Sequence, residues 1–288
     1  MTEITASLVR DLREKTGAGM MDCKQALVET GGKIEDAVDW LRKKGHAAAA
    51  KKAGRATAEG MVGLKVSGNT GIALELNSET DFVARNETFQ TLMNNILKVG
   101  VNCKDLAELE NSTYPDSNQS IKESIAEHIG VIGENIVLKR FAKVHVEKGV
   151  VSSYVHNAIV ENAGKIAVLV ALESDASHDA LHSFGKQLAM HIAAARPEVL
   201  SREDVSSEQI DRERMIFAEQ SRASGKSDEI IEKMLVGRMQ KFYQEIVLLE
   251  QVFVIDNKTK ITELLNNFAK EHGKSVKITS FVRYELGS

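Results

Sequence analysis

Through the first 45 positions apolar residues recur at helical steps. Ile4, Leu8 and Leu12 share one face of "ITASLVRDLREKTG", and Gly17 and Gly19 then break the pattern. "MMDCKQALVETGG" and "KIEDAVDWLRKKG" each run to a glycine, the residue that commonly follows a helix end. Residues 1–45 are therefore predicted as a compact unit of three helices, small for an independent core and suited to recognition or docking. The Ala/Lys/Gly-rich stretch 46–59 reads as its linker.

From Gly60 the period becomes two. Val62, Leu64 and Val66 alternate with polar or small neighbours, and "GMVGLKVSGNTGIALELN" reads as a hairpin turning at Gly68-Asn69. A helix near 87–99, a polar stretch containing Pro115, a helix near 119–129 and strands in "ENIVLKRFAKVHVE" follow. Residues 60–147 are read as the first core subdomain and 148–200 as the start of the second, completed by 249–288. Between them, 201–248 reads as an inserted antiparallel helical hairpin, with Ile231, Leu235, Met239, Phe242 and Ile246 forming a stripe for a partner helix. The fold class expected is α+β, with a duplicated α/β core and antiparallel sheets.

The duplication is visible on self-comparison. "EGMVGLKV…GIALELNSETDF" from Glu59 aligns with "KGVVSSYV…KIAVLVALESDA" from Lys148, with a longer loop in the second copy. In that alignment Glu79, Thr80 and Asp81 match Glu173, Ser174 and Asp175, whereas Phe82 meets Ala176. The turn residues thus read as structural and the Phe82 ring as an addition facing a partner. Ser78, Thr80 and Asp81 are candidate acceptors for free amides at a helix start, a cap that would hold the ring outward.

Composition narrows the function classes. With 288 residues, net charge −4 and pI about 6.1, the chain has no overall basic field for nucleic acid. The basic stretch from Arg42 to Arg55 has no interleaved aromatics and reads as a solvated linker or frayed helix. Cys23 and Cys103 have no partner at metal or redox spacing. The N-terminus lacks a signal pattern and "IAVLVAL" is far too short to span a membrane, so a cytoplasmic location is expected.

The remaining motifs do not build an enzyme. "SGKS" at Ser224 lacks the upstream glycine of a phosphate loop, with Gln220 in its place. His178 and His182 are one helical turn apart but have no Glu or third ligand to complete a zinc site. "TGAGM" at Thr16 follows no strand, so it is not a dinucleotide fingerprint. No cofactor is expected.

"TDFVA" at 80–84 resembles the signature of the bacterial translation elongation factor Ts family. "LVRDLREKTGAGMMDCKQAL" from Leu8, "IGENI" from Ile132, "HIAAARPEVL" from His191 and "EIIEKMLVGRMQKF" in the hairpin follow in family order. The resemblance implies an N-terminal unit like a ubiquitin-associated domain and a repeated core with an inserted hairpin. It implies guanine-nucleotide exchange on elongation factor Tu, the GTPase that delivers aminoacyl-tRNA, in its GDP-bound and nucleotide-free states. The turn Thr80, Asp81, Phe82 and Val83 would dislodge the Mg²⁺ that holds GDP, the ring acting as a wedge. Further contacts would come from Lys24 with Met20 and Met21, from Ile132 and Gly133, from His156, and from Val254 with Ile255. No direct nucleic acid or membrane partner is implied, and the hairpin is a candidate for self-association. The rival reading is a helical adapter without exchange activity.

Overall fold

The computed structural model describes residues 4–222 and 228–288; the "SGKS" stretch from Ser224 lies outside them. Helices α1 (Ala6–Thr16), α2 (Met20–Glu29) and α3 (Ile34–Lys52) come first. Strands β1 (Glu59–Ser67) and β2 (Thr70–Ser78) lead to α4 (Asp81–Ala84), α5 (Glu87–Gly100), α6 (Leu106–Asn111) and α7 (Ile121–Ile132). Next come β3 (Ile136–His145), β4 (Gly149–Val160), β5 (Ala163–Ser174) and α8 (His178–Ala195). Helices α9 (Ser207–Arg222), α10 (Asp228–Ile246) and α11 (Ile261–His272) precede the closing strand β6 (Val276–Glu285).

Val9, Leu12, Cys23, Ala26, Leu27 and Ala37 form the core shared by the first three helices. The expectation that the third helix ends at Gly45 is corrected: α3 continues to Lys52. Gly45 is buried inside the helix because α3 crosses α7 there. A Cβ on Gly130 would lie 2.7 Å from the Gly45 Cα, so the crossing is backbone against backbone. Most of the basic stretch is therefore helix surface, with Lys44 paired to Asp22 at 2.8 Å and Arg42 3.9 Å from Asp39. Within the stretch read as merely polar, α6 is an additional helix, started by the Asp105 carboxylate accepting from the Glu108 N–H at 2.8 Å.

All the strand pairings are antiparallel. β2 lies between β1 and β3, β5 lies between β4 and β6, and β1 joins the two groups through Val62–Gly164 and Gly63–Ala163. The two central strands are buried on both faces. Ile72, Leu74 and Leu76 of β2 meet α5 residues Phe89, Leu92 and Ile96, while Val168, Val170 and Leu172 of β5 meet α8. Their alternate residues, Ala73, Ala167, Leu169 and Ala171, meet between the two sheet layers. That is why "IAVLVAL" is a continuous apolar run rather than an alternating one.

The long loop expected after Tyr154 is instead strand. β4 and β5 continue to Val160 and Ala163, and Asn162 at the tip accepts a hydrogen bond from the Leu64 N–H at 2.9 Å. The extension supplies the backbone partner that links the second group of strands to β1.

The repeat is confirmed with a corrected register. Gly60 and Gly149 both have positive φ, 115° and 142°, and both face a carbonyl that leaves no room for a Cβ, on Leu76 and Leu172 respectively. The sheet is irregular between Glu75 and Leu76 and again between Ala171 and Leu172. Leu76 thus corresponds to Leu172, and counting onward, Ser78 corresponds to Ser174 and Phe82 to His178 rather than Ala176. A slip of two residues preserves side-chain alternation, so the apolar pattern does not detect it.

Helices α9 and α10 form the antiparallel hairpin. Arg238 stands over the Phe217 ring at 5.6 Å and donates to Gln220 at 2.8 Å, while Ile210, at the base, joins the cluster of Phe242 and Ile246. The stripe residues Ile231, Leu235, Phe242 and Ile246 are buried within the chain itself.

Candidate functional site

The turn after β2 is organised by polar contacts on one side and apolar contacts on the other. Ser78 Oγ donates to the Thr80 carbonyl at 2.9 Å. Thr80 is the extended N-cap of α4 with φ −127° and ψ 157°, but no side chain of the turn caps that helix. The expected cap by Ser78, Thr80 and Asp81 is therefore corrected.

The partner comes from another segment. Glu134 accepts from the Thr80 N–H at 2.9 Å and from its hydroxyl at 2.7 Å. Glu79 returns the contact by accepting from the Asn135 N–H at 2.7 Å. Arg55, just beyond α3, donates to Glu79 at 3.3 Å, and the Asn135 side chain donates to the Arg55 carbonyl at 3.1 Å. The Asn135 N–H, aided by Arg55, holds the Glu79 carboxyl below the usual carboxylate range. Three separate segments thus meet at this turn.

Below it, Val83 and Ala84 enter the apolar core with Leu76 and Phe89. Successive residues of a helix point about 100° apart. With Val83 and Ala84 inward, Asp81 and Phe82 are turned to solvent, and Phe82 is 77% exposed. Asn86 then starts α5 by accepting from the Thr88 N–H at 2.8 Å, so the short helix is fixed at both ends.

Helix α7 brings further predicted residues alongside. Ile132 packs against the same core, and Gly133 ends the helix in the left-handed conformation at φ 89°, turning the chain into Glu134. The Gly17 turn leading to α2 also lies against α7, since a Cβ there would be 3.8 Å from Val131. On α2, Met20, Met21 and Lys24 are exposed, Met21 at 75%.

The other predicted residues lie elsewhere. His156 is exposed on β4, its Nδ1 3.0 Å from the Tyr154 hydroxyl. Val254 and Ile255 lie in a bend beside the second core, where Ile255 is exposed and the Val254 N–H reaches His191. The structure thus gathers the turn and Ile132–Gly133 into one neighbourhood around α7, with the Gly17 turn before α2 close by, and leaves His156 and Val254–Ile255 as separate patches. Among the described residues no group of three or more His, Cys, Asp or Glu side chains could hold a metal ion, and no helix is long and apolar enough to cross a membrane.

Sequence reasoning missed Glu134, Asn135 and Arg55. The available signal was the Glu-Asn pair in "IGENI", two polar residues between a helix end and an apolar strand, of which Asn135 is buried.

These features define an α+β protein with a duplicated core and an exposed aromatic on a braced turn. The family model described as Elongation factor TS matches residues 79–288. The chain is 52% identical over 288 residues to elongation factor Ts of Rhodospirillum centenum, covering 100% of this chain and 94% of that one. It is 52% identical over 285 residues to elongation factor Ts of Rickettsia bellii, covering 99% and 92%. Against elongation factor Ts of Rhodospirillum rubrum it is 50% identical over 289 residues, covering 100% and 94%. The chain belongs to the elongation factor Ts family, whose place is in translation elongation.

Proposed function

We propose that this protein promotes GDP release from elongation factor Tu, and that the Thr80–Val83 turn does so by displacing the Mg²⁺ that holds the nucleotide in that GTPase. The observation that carries the reading is the exposed Phe82 ring on a turn braced by Glu134 from one side and by buried Val83 from the other. An exchange factor changes no bond. It binds the nucleotide-free GTPase better than the nucleotide-bound form, and that preference weakens nucleotide binding by the same factor. Loss of Mg²⁺ leaves the phosphate charges poorly compensated. A ring already held in place loses little conformational freedom on entering a pocket.

Within the turn the roles divide. Phe82 enters the GTPase, Asp81 stands beside it, Thr80 is the tethered end and Val83 is the internal anchor. Met20, Met21 and Lys24, Ile132 and Gly133, His156, and Val254 with Ile255 supply the surrounding contacts. Helices α1–α3 act as a recognition unit of the ubiquitin-associated kind, α9 and α10 act as a projecting hairpin, and the work is done in the cytoplasm. The test is stopped-flow release of labelled GDP from elongation factor Tu, with and without this protein, over a range of free Mg²⁺. Acceleration should shrink where Mg²⁺ is already absent; acceleration independent of Mg²⁺ would rule out displacement of the metal.

A further inference from the structure

His191 of α8 is completely buried, and both of its ring nitrogens are engaged by other elements. The Val254 backbone N–H points to Nδ1 at 3.3 Å, and Nε2 lies 2.9 Å from Gln251 Oε1. A backbone amide can only donate, so Nδ1 carries the lone pair and Nε2 carries the proton. The Gln251 amide agrees with this assignment: its nitrogen donates to the Glu245 carbonyl at 2.7 Å and to the Ala195 carbonyl at 3.3 Å, which leaves its oxygen facing His191. Every polar atom of the pair is satisfied by the neutral Nε2–H tautomer and by no other state of the ring.

The node joins pieces that are distant in sequence. Through Gln251 it ties the last turn of α8 to the last turn of α10, at the base of the hairpin. Through Nδ1 it holds the bend at 252–255. In that bend Phe253 is buried 5.8 Å from the imidazole, while Val252 and Ile255 are exposed. Thus one short segment is anchored inside by Phe253 and displays Val252 and Ile255 on either side of it.

We propose that His191 is the positioning residue for the Val252–Ile255 surface: as a neutral imidazole it fixes the bend that displays these two side chains, and its protonation releases it. This rests on the reading that the surface contacts elongation factor Tu. Protonated Nδ1 would set one N–H against another and break the bond to Val254. Among the described residues no charged side chain bonds to the ring to support a cation. Glu245 contributes only its carbonyl, Glu250 is paired with Arg202, Asp256 accepts from the Lys258 and Thr259 amides, and Arg196 pairs with Glu285. Burial accordingly holds the His191 pKa below its ordinary value, so release occurs below a pH of about 6.5.

Two substitutions separate the bonds. His191→Asn keeps an acceptor near the Nδ1 position and cannot titrate; His191→Gln keeps a donor near the Nε2 position and loses the acceptor for Val254. The test combines ¹⁵N NMR of the His191 ring, exchange protection of the Val254 amide and binding to elongation factor Tu, each followed downward from neutral pH until the NMR signals show the ring protonated. The wild type should show the Nε2–H tautomer, and both Val254 protection and binding should fall as the ring titrates. His191→Asn should retain protection and binding at all these pH values. His191→Gln should lose about five- to tenfold in protection at neutral pH, the effect of one hydrogen bond, with binding weakened alongside. An Nδ1–H tautomer, unchanged protection in His191→Gln, or an undiminished pH dependence in His191→Asn would each overturn the proposal. Should elongation factor Tu bind none of the three proteins, the exchange reading fails, while tautomer and protection still decide whether His191 holds the bend.

Discussion

Thr80 presents both its backbone N–H and its hydroxyl to a single carboxylate, Glu134, at 2.9 and 2.7 Å. This pairing fixes the orientation of the turn below Phe82 from another segment, where no side chain of the turn caps α4. Hydrogen bonds to a charged acceptor contribute about 1.5–3 kcal/mol each. Glu134→Ala should therefore slow stimulated GDP release by about tenfold or more, and Thr80→Val, which keeps the backbone bond, should slow it less. In a Phe82→Ala background Glu134→Ala should add little, because its effect passes through the ring. Full additivity in that double-mutant cycle would show that Glu134 acts by a contact of its own.

Phe82 and Val83 are neighbours with opposite surroundings, 77% and 6% exposed. Phe82→Ala removes no core contact and should leave thermal stability nearly unchanged. If the ring is the wedge, its loss should cost about 2 kcal/mol or more of interaction, as for an anchoring aromatic at an interface. Val83→Ala removes buried methyl groups and should lower stability by about 1–2.5 kcal/mol. Urea unfolding and GDP release, measured on both variants, separate the two. A large stability loss in Phe82→Ala would mean that the ring is packed in solution.

The elements were legible in the sequence to the extent that each has its own periodicity. The hairpin at Gly68-Asn69, α5 and the stripe of α10 appear where apolar steps of two or of three to four predict them. Contacts between elements were not legible. Gly45 reads as a helix end because nothing in the local sequence shows that another glycine, Gly130, will approach it. Glu134 lies 54 residues from Thr80 and no period connects them. Phe82 stood out because an aromatic among polar residues is locally anomalous, whereas His191 did not, because its partners at Gln251 and Val254 meet it only in the fold.

The two glycines at the crossing of α3 and α7 should respond differently to alanine. A Cβ on Gly130 would lie 2.7 Å from the Gly45 Cα, so Gly130→Ala must push the helices apart and should destabilise by about 1–3 kcal/mol. A Cβ on Gly45 finds its nearest neighbour, the Glu127 Cα, at 3.5 Å, an ordinary contact. Gly45→Ala should be neutral or stabilising by up to about 1 kcal/mol, since alanine favours a helix interior. Equal losses from both substitutions, measured by denaturant unfolding, would mean the helices cross elsewhere.

Acid should destabilise the protein in two stages. His128 and His191 are both held below their ordinary pKa, chiefly by burial. For such groups the unfolded state binds more protons between the folded value and about 6.5, so their contribution is complete above that pH and is lost as pH falls through the folded values. Glu79, Glu250 and Glu285 are also held low, by the Asn135 N–H, by Arg202 and by Arg283 respectively. Their contribution is complete above about 4.3, the unfolded carboxylate value, and is lost below it. The melting temperature should therefore be level from pH 8 to about 7, begin to fall near 6.5 and fall further below about 4.3. Combining His128→Asn with His191→Asn should flatten the first decline and leave the second, because the carboxylates are untouched. A wild-type profile level down to the carboxylate range would contradict the neutral, buried state of both imidazoles.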